Sequence, residues 1–79
     1  LQMGKKLEDI ASGIDCFSIK SPMGVFAAIT PFNFPPMVPF WFWPFAVASG
    51  NTFILKPSER VPLTQVRVFE ILEEAGMPK

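Results

Sequence analysis

Val25-Phe26-Ala27-Ala28-Ile29-Thr30-Pro31-Phe32-Asn33 is the stretch on which the fold turns. Val25 to Ile29 run apolar without alternation, which reads as a strand buried on both faces of a parallel sheet. Thr30-Pro31 ends the run. Asn33 is then a candidate helix N-cap, with Pro35 and Pro36 in the first turn, where a missing N–H costs little. The helix is expected to reach about Ser49, with a kink at Pro44. It is apolar all round, which implies burial between neighbours. Gly50 is placed to stop it, since glycine accepts the left-handed conformation common just past a helix end.

Downstream, Asn51 to Lys56 reads as a second buried strand centred on Thr52, Phe53, Ile54 and Leu55. The turn Pro57-Ser58-Glu59-Arg60 leads to a helix starting at Pro62. Leu63, Val66, Phe69 and Leu72 form its apolar stripe, and Gly76 and Pro78 end it. Upstream the signals are weaker. Leu7, Ile10, Ala11 and Ile14 stand at helical spacing, but Gly4 and Gly13 interrupt it, so a short helix end followed by irregular chain is expected. Phe17 and Ile19 alternate with Ser18 and Lys20 as in a half-exposed strand.

The order strand, helix, strand, helix gives an α/β unit. With right-handed crossovers it is a Rossmann-like parallel βαβα unit, a fragment of a larger doubly wound sheet. Residues 1–23 form a helix end, loop and edge strand, and residues 24–79 the βαβα portion.

Composition supports a fragment. Of the 79 residues, 49% are apolar and 18% charged, with nine Phe and two Trp. A small free-standing domain would need disulfides or a metal to hide so much apolar material. One Cys and no His leave no disulfide and no metal site. The chain opens on Leu1 and stops at Gly76-Met77-Pro78-Lys79, so it is expected to be a slice of a larger protein. Seven basic residues balance seven acidic ones and are scattered, which argues against a nucleic-acid partner. Phe34 to Ser49 holds four prolines and falls short of the roughly 20 residues a spanning helix needs, so no membrane segment is expected. The lone Cys fits a reducing compartment: the cytoplasm, or the mitochondrial matrix if the source is eukaryotic.

In an open parallel sheet, ligands bind beyond the carboxyl ends of the strands. That places Ile29-Thr30-Pro31-Phe32-Asn33 and Lys56-Pro57-Ser58-Glu59 on one rim, where Asn33, Lys56, Ser58 and Glu59 converge. A carboxylate just past the second strand suits the hydroxyls of a ribose. Neither a G-x-G-x-x-G nor a Walker loop is present.

Pro31-Phe32-Asn33-Phe34-Pro35, then Gly50-Asn51-Thr52, Lys56-Pro57-Ser58-Glu59 and Glu74-Ala75-Gly76-Met77-Pro78, resemble the aldehyde dehydrogenase superfamily in order and spacing over residues 20–79. Phe32, where most members carry Trp, and Lys56-Pro57-Ser58-Glu59-Arg60-Val61-Pro62 are similar to its methylmalonate-semialdehyde dehydrogenase branch. The resemblance implies an NAD-dependent oxidation of an aldehyde through a cysteine thiohemiacetal, hydride transfer to the nicotinamide, and thioester breakdown. In that branch the acyl group of methylmalonate or malonate semialdehyde would pass to coenzyme A, with loss of carbon dioxide.

The resemblance also implies roles. Asn33 matches the side-chain amide donor of the oxyanion hole, which meets charge that appears only during reaction. Ile29, Thr30, Pro31 and Phe32 match the segment along the bound cofactor. Lys56 and Glu59 match the pair that hydrogen-bonds the adenosine ribose, with Ser58 between them on the cofactor side. Phe34, Val38 and Trp41 match positions lining the substrate tunnel and are expected to share one face of the first helix. Glu59 would repel a 2′-phosphate, favouring NAD over NADP, although Lys56 acts in the opposite sense.

Taken singly, these residues have plainer readings: Asn33 as a cap, Lys56 and Glu59 as exposed turn residues, Phe34 and Trp41 as core. The ordered set of motifs reverses that balance. Cys16 precedes the first buried strand, whereas the family nucleophile follows its general-base Glu far downstream. It reads as structural or incidental. The catalytic Cys and Glu are absent, so the fragment alone should be inactive. Segment 15–22 resembles part of the family's subunit-contact region, implying a homo-oligomeric parent. A non-catalytic assembly module of an aldehyde-dehydrogenase-like protein is the alternative reading.

Overall fold

The computed structural model of the chain describes residues 2–78. Its elements are β1 (Lys5–Ala11), β2 (Ile14–Ser18), β3 (Val25–Ile29), α1 (Met37–Phe40), α2 (Trp43–Ala48), β4 (Thr52–Lys56) and α3 (Leu63–Glu74). They form two separate two-stranded sheets, β1–β2 antiparallel and β3–β4 parallel.

The N-terminal part corrects the expected helix end. Residues 5–18 are a hairpin, with Gly13 in the left-handed region (φ 70°) at its two-residue turn. Its register pairs Leu7 with Cys16 and Ala11 with Ile14, so β1 accommodates extra residues in a bulge between Leu7 and Ala11. Asp9 adopts φ 50° there, its N–H donating to Asp15 Oδ1 (2.8 Å), while its own Oδ1 accepts from Gly13 N–H (3.3 Å). The inserted residues break the two-residue alternation of β1. Leu7, Ile10, Ala11 and Ile14 consequently fall at a spacing that mimics a helix. β2 ends at Ser18, one residue short of the expected Ile19, and Phe17 is exposed rather than half-buried.

β3 and β4 follow the expected strands. They pair in parallel from Val25 opposite Thr52 to Ile29 opposite Lys56. Asn51 builds the entrance to this sheet. Its Oδ1 accepts from the N–H groups of Met23 (2.7 Å) and Gly24 (2.9 Å), and its Nδ2 donates to Ala46 O (3.1 Å). One side chain thus fastens the end of α2 and the start of β3 to the start of β4. Beside it, Gly50 holds φ 82°, and a Cβ there would stand 2.9 Å from Pro22 Cγ. Glycine is therefore required both by conformation and by space.

The expected single kinked helix is two short ones. Pro36, not Asn33, occupies the N-cap of α1, without a side-chain cap bond. Phe34 turns through φ 56° before it, so the chain is not yet helical at Asn33. Pro44 lies in the first turn of α2, where its missing N–H is tolerated, so the helix restarts there instead of bending. α3 spans the expected residues, but Leu63, placed on its apolar stripe, is 79% exposed, whereas Gln65 is buried at 2%.

α2 and α3 lie on the same face of the β3–β4 sheet. Trp43 of α2 meets Phe69 of α3 with ring centroids 6.1 Å apart, and Phe53 and Leu55 of β4 line the groove of about 540 Å³ that these helices share. The core within the described residues is small, centred on Trp43 and Pro39. Neither strand is buried on both faces within this chain, and Phe42 and Phe45 of the all-apolar helical segment are exposed. The radius of gyration, 18.1 Å, exceeds the roughly 12 Å of a compact domain of this length. The molecule is elongated, 61 × 26 × 17 Å. An α/β parallel unit of the Rossmann-like kind is present, with its apolar surfaces largely open.

Candidate functional site

The carboxyl ends of β3 and β4 meet because the strands are parallel and in register. Ile29 stands opposite Lys56, and the Thr30 N–H continues the ladder by donating to Lys56 O (3.1 Å). Two loops therefore leave one rim together: residues 30–36 from β3 and residues 57–61 from β4. Thr30 and Ser58 are buried at the roots of these loops, while Pro31, Phe32 and Asn33 are exposed.

On the β4 side, Lys56 Nζ reaches Glu59 Oε2 at 3.2 Å. Both side chains are largely exposed, so the pair adds little stability but holds an ammonium and a carboxylate together at the rim. Hydrogen bonding from its own backbone, then the bond and the charge of Lys56, hold the Glu59 carboxyl below the usual glutamate range. It stays ionised at neutral pH. Ser58 Oγ accepts from the Arg60 N–H at 3.3 Å, and Val61 N–H donates to Ser58 O at 3.2 Å, closing the turn. Arg60 spans the two loops, its guanidinium 5.1 Å from the centre of the Phe32 ring.

On the β3 side, the Asn33 amide makes no hydrogen bond among the described residues and is open to a ligand. It sits between two pinned points. Thr30 is tied to β4, and the carbonyl of Pro35 accepts from Gln65 Nε2 of α3. The expected common helical face of Phe34, Val38 and Trp41 is not found. Phe34 precedes α1, Val38 lies within it and Trp41 is its C-cap. Trp41 lines a second groove, about 660 Å³, together with Phe26, Ile29, Phe42 and Phe45; Phe34 and Val38 do not line it. The Phe34 carbonyl does accept from the Val38 N–H (3.2 Å), which keeps these two side by side.

Sequence reasoning missed Asn51 as a clasp and Gln65 as an anchor. A signal existed for Asn51, an Asn directly after a helix-stopping Gly; for Gln65 there was none, since its partner is a backbone carbonyl thirty residues away. The groups capable of holding a polar ligand are thus Asn33, Lys56 and Glu59, with buried Thr30 and Ser58 fixing the backbone beneath them. Among the described residues no cluster of three or more metal-ligating side chains exists, and no helix is long and apolar enough to cross a membrane. Cys16 is exposed on the hairpin.

Comparison with known proteins places this arrangement. Residues 2–79 match the aldehyde dehydrogenase family. The chain is 58% identical over 79 residues to a malonate-semialdehyde dehydrogenase of Bacillus pumilus (strain SAFR-032), and 60% identical to malonate-semialdehyde dehydrogenase 2 of Bacillus anthracis. Both alignments cover 100% of this chain and 16% of the relative. Among solved structures it superimposes with a TM-score of 0.91 and 51% identity on a protein described as a methylmalonate-semialdehyde dehydrogenase of Sinorhizobium meliloti 1021 complexed with NAD, covering 98% of this chain and 16% of that one. The chain thus spans about a sixth of the length of the proteins it matches, and its open apolar faces are those of a part rather than a whole. By sequence and by fold, it belongs to the aldehyde dehydrogenase family.

Proposed function

We propose that this chain is the first βαβα portion, residues 24–79, of the NAD-binding domain of a malonate- or methylmalonate-semialdehyde dehydrogenase. Residues 1–23 belong to its subunit-contact region. The observation that carries the reading is the parallel register of Ile29 and Lys56, which lays Asn33 and the Lys56–Glu59 pair along one rim. The relatives named malonate-semialdehyde dehydrogenase and the NAD-bound neighbour support it.

The rim fits a dinucleotide. The Glu59 carboxylate can accept from ribose hydroxyls while the Lys56 ammonium donates to them, and Ile29, Thr30, Pro31 and Phe32 offer a backbone edge alongside. Ser58, buried beneath them, sets the turn that presents Glu59. An ionised Glu59 disfavours a 2′-phosphate, so NAD is the cofactor rather than NADP. When bound, NAD supplies the hydride acceptor. Asn33 donates its side-chain N–H to the oxygen of the aldehyde as negative charge develops there under attack by a thiolate from elsewhere in the full-length protein. Phe34, Val38 and Trp41 border the aldehyde. Coenzyme A takes the acyl group, and the parent is a homo-oligomer of the reducing cytoplasm.

The test is NAD-dependent oxidation of malonate semialdehyde by the full-length protein that carries this segment. Asn33→Ala should lower turnover by about 10²–10³, with the affinity for NAD retained. Absence of turnover in the unmutated protein would leave a non-catalytic assembly role in its place.

A further inference from the structure

We propose that Gln65 is a positioning residue for the Asn33 amide, an inference that rests on the reading of Asn33 given above. Gln65 is 2% exposed, yet it stands on α3, thirty residues away in sequence from the loop it touches. Its Nε2 donates to the carbonyl of Pro35, two residues past Asn33. Its Oε1 is buried without a partner, so the donor half alone carries the interaction. A polar side chain buried with half its capacity unmet is costly, and an apolar residue of the same size would avoid that cost. What the amide provides is a fixed point for the loop.

The loop needs one. Phe34 holds φ 56°, a left-handed conformation that a bulky residue adopts only when its surroundings impose it. At its other end the loop is fixed by the Thr30 N–H on Lys56 O. With both ends held, Asn33 is presented between β4 and α3. Without the Pro35 bond, Phe34 is free to relax to negative φ, which swings the Asn33 side chain away from the rim. A displacement of about 1 Å in such a donor can cost up to about 10²-fold in rate.

The experiment is a double-mutant cycle in the full-length enzyme, read as the pre-steady-state rate of NADH formation at saturating NAD. Gln65→Met keeps the size and removes the donor. We expect it to slow NADH formation about tenfold, to leave the NAD dissociation constant unchanged, and to have no further effect in an Asn33→Ala background. A merely structural role would lower the melting temperature without that dependence on Asn33. Equal slowing in both backgrounds, or no slowing in the first, overturns the proposal. If Asn33→Ala alone does not slow the reaction, both the oxyanion assignment and the positioning role fall, a result distinct from additivity. Should Gln65→Met not fold, Gln65→Leu, close in size and with no donor at any pH, enters the same cycle with the same expected and overturning results.

Discussion

Replacing Asn51 by Ala removes three hydrogen bonds at once: those from the Met23 and Gly24 N–H groups (2.7 and 2.9 Å) and that to Ala46 O (3.1 Å). A typical intramolecular bond contributes about 0.5–1.5 kcal/mol net, with more at stake where a buried group is left unpaired. Met23 and Gly24 are exposed, so water replaces their lost acceptor and their share falls at the low end. Ala46 is half-buried, and its carbonyl also accepts the Asn51 N–H (3.0 Å), so it is not stranded. The sum is about 2 kcal/mol, which corresponds to roughly 30-fold faster local opening. Hydrogen exchange followed by mass spectrometry on the full-length protein reads this directly in peptides covering residues 22–26 and 46–53. Asn51→Asp keeps the acceptor and loses the donor, and should fall between Ala and the original residue. Exchange in these peptides that is unchanged within about threefold in Asn51→Ala would refute the clasp.

Further outcomes follow from the same geometry. Gly50→Ala puts a Cβ 2.9 Å from Pro22 Cγ on a backbone at φ 82°, and should destabilise the protein by about 1–3 kcal/mol, seen as a lowered thermal midpoint. Because the Glu59 carboxyl is held below the usual glutamate value of about 4.3, its stabilising contribution is complete above that value and is lost as pH falls through its lower folded-state value. The contribution of Glu59 to NAD binding should therefore be flat from pH 8 to pH 5 in a calorimetric titration comparing the original protein with Glu59→Gln. A difference between the two that fades well above about pH 5 would contradict the lowered titration.

Legibility of this fold tracked how local each determinant is. β3, β4 and α3 were readable because five- and twelve-residue apolar patterns are bounded by Gly and Pro, whose conformational limits act within a residue or two. The hairpin was not. The bulge around Asp9 shifts the alternation of β1, and its stabilising bond to Asp15 joins residues whose proximity depends on the turn between them. Asn33 was misplaced as a cap for a related reason. Pro36 and the left-handed Phe34 delay the helix by one turn, and no local preference signals a positive φ at a Phe. Of the site, the motif residues could be named and their shared rim inferred from strand direction alone. Gln65 could not, because its importance lies in a bond across thirty residues to a backbone carbonyl, which leaves no periodicity in the sequence. Leu63 shows the reverse error: it fits the stripe by spacing but faces solvent, because the helix presents Gln65 inward.

The account stands on the rim where β3 and β4 end together, and the dissociation constant of NAD tests it most directly. Lys56→Met in the full-length protein removes the ammonium that pairs with Glu59 at 3.2 Å while keeping a side chain of similar length. NAD should bind about tenfold more weakly to this variant, a loss of about 1.4 kcal/mol, with the thermal midpoint of the unliganded protein unchanged. An NAD affinity equal to that of the original protein would place the cofactor elsewhere.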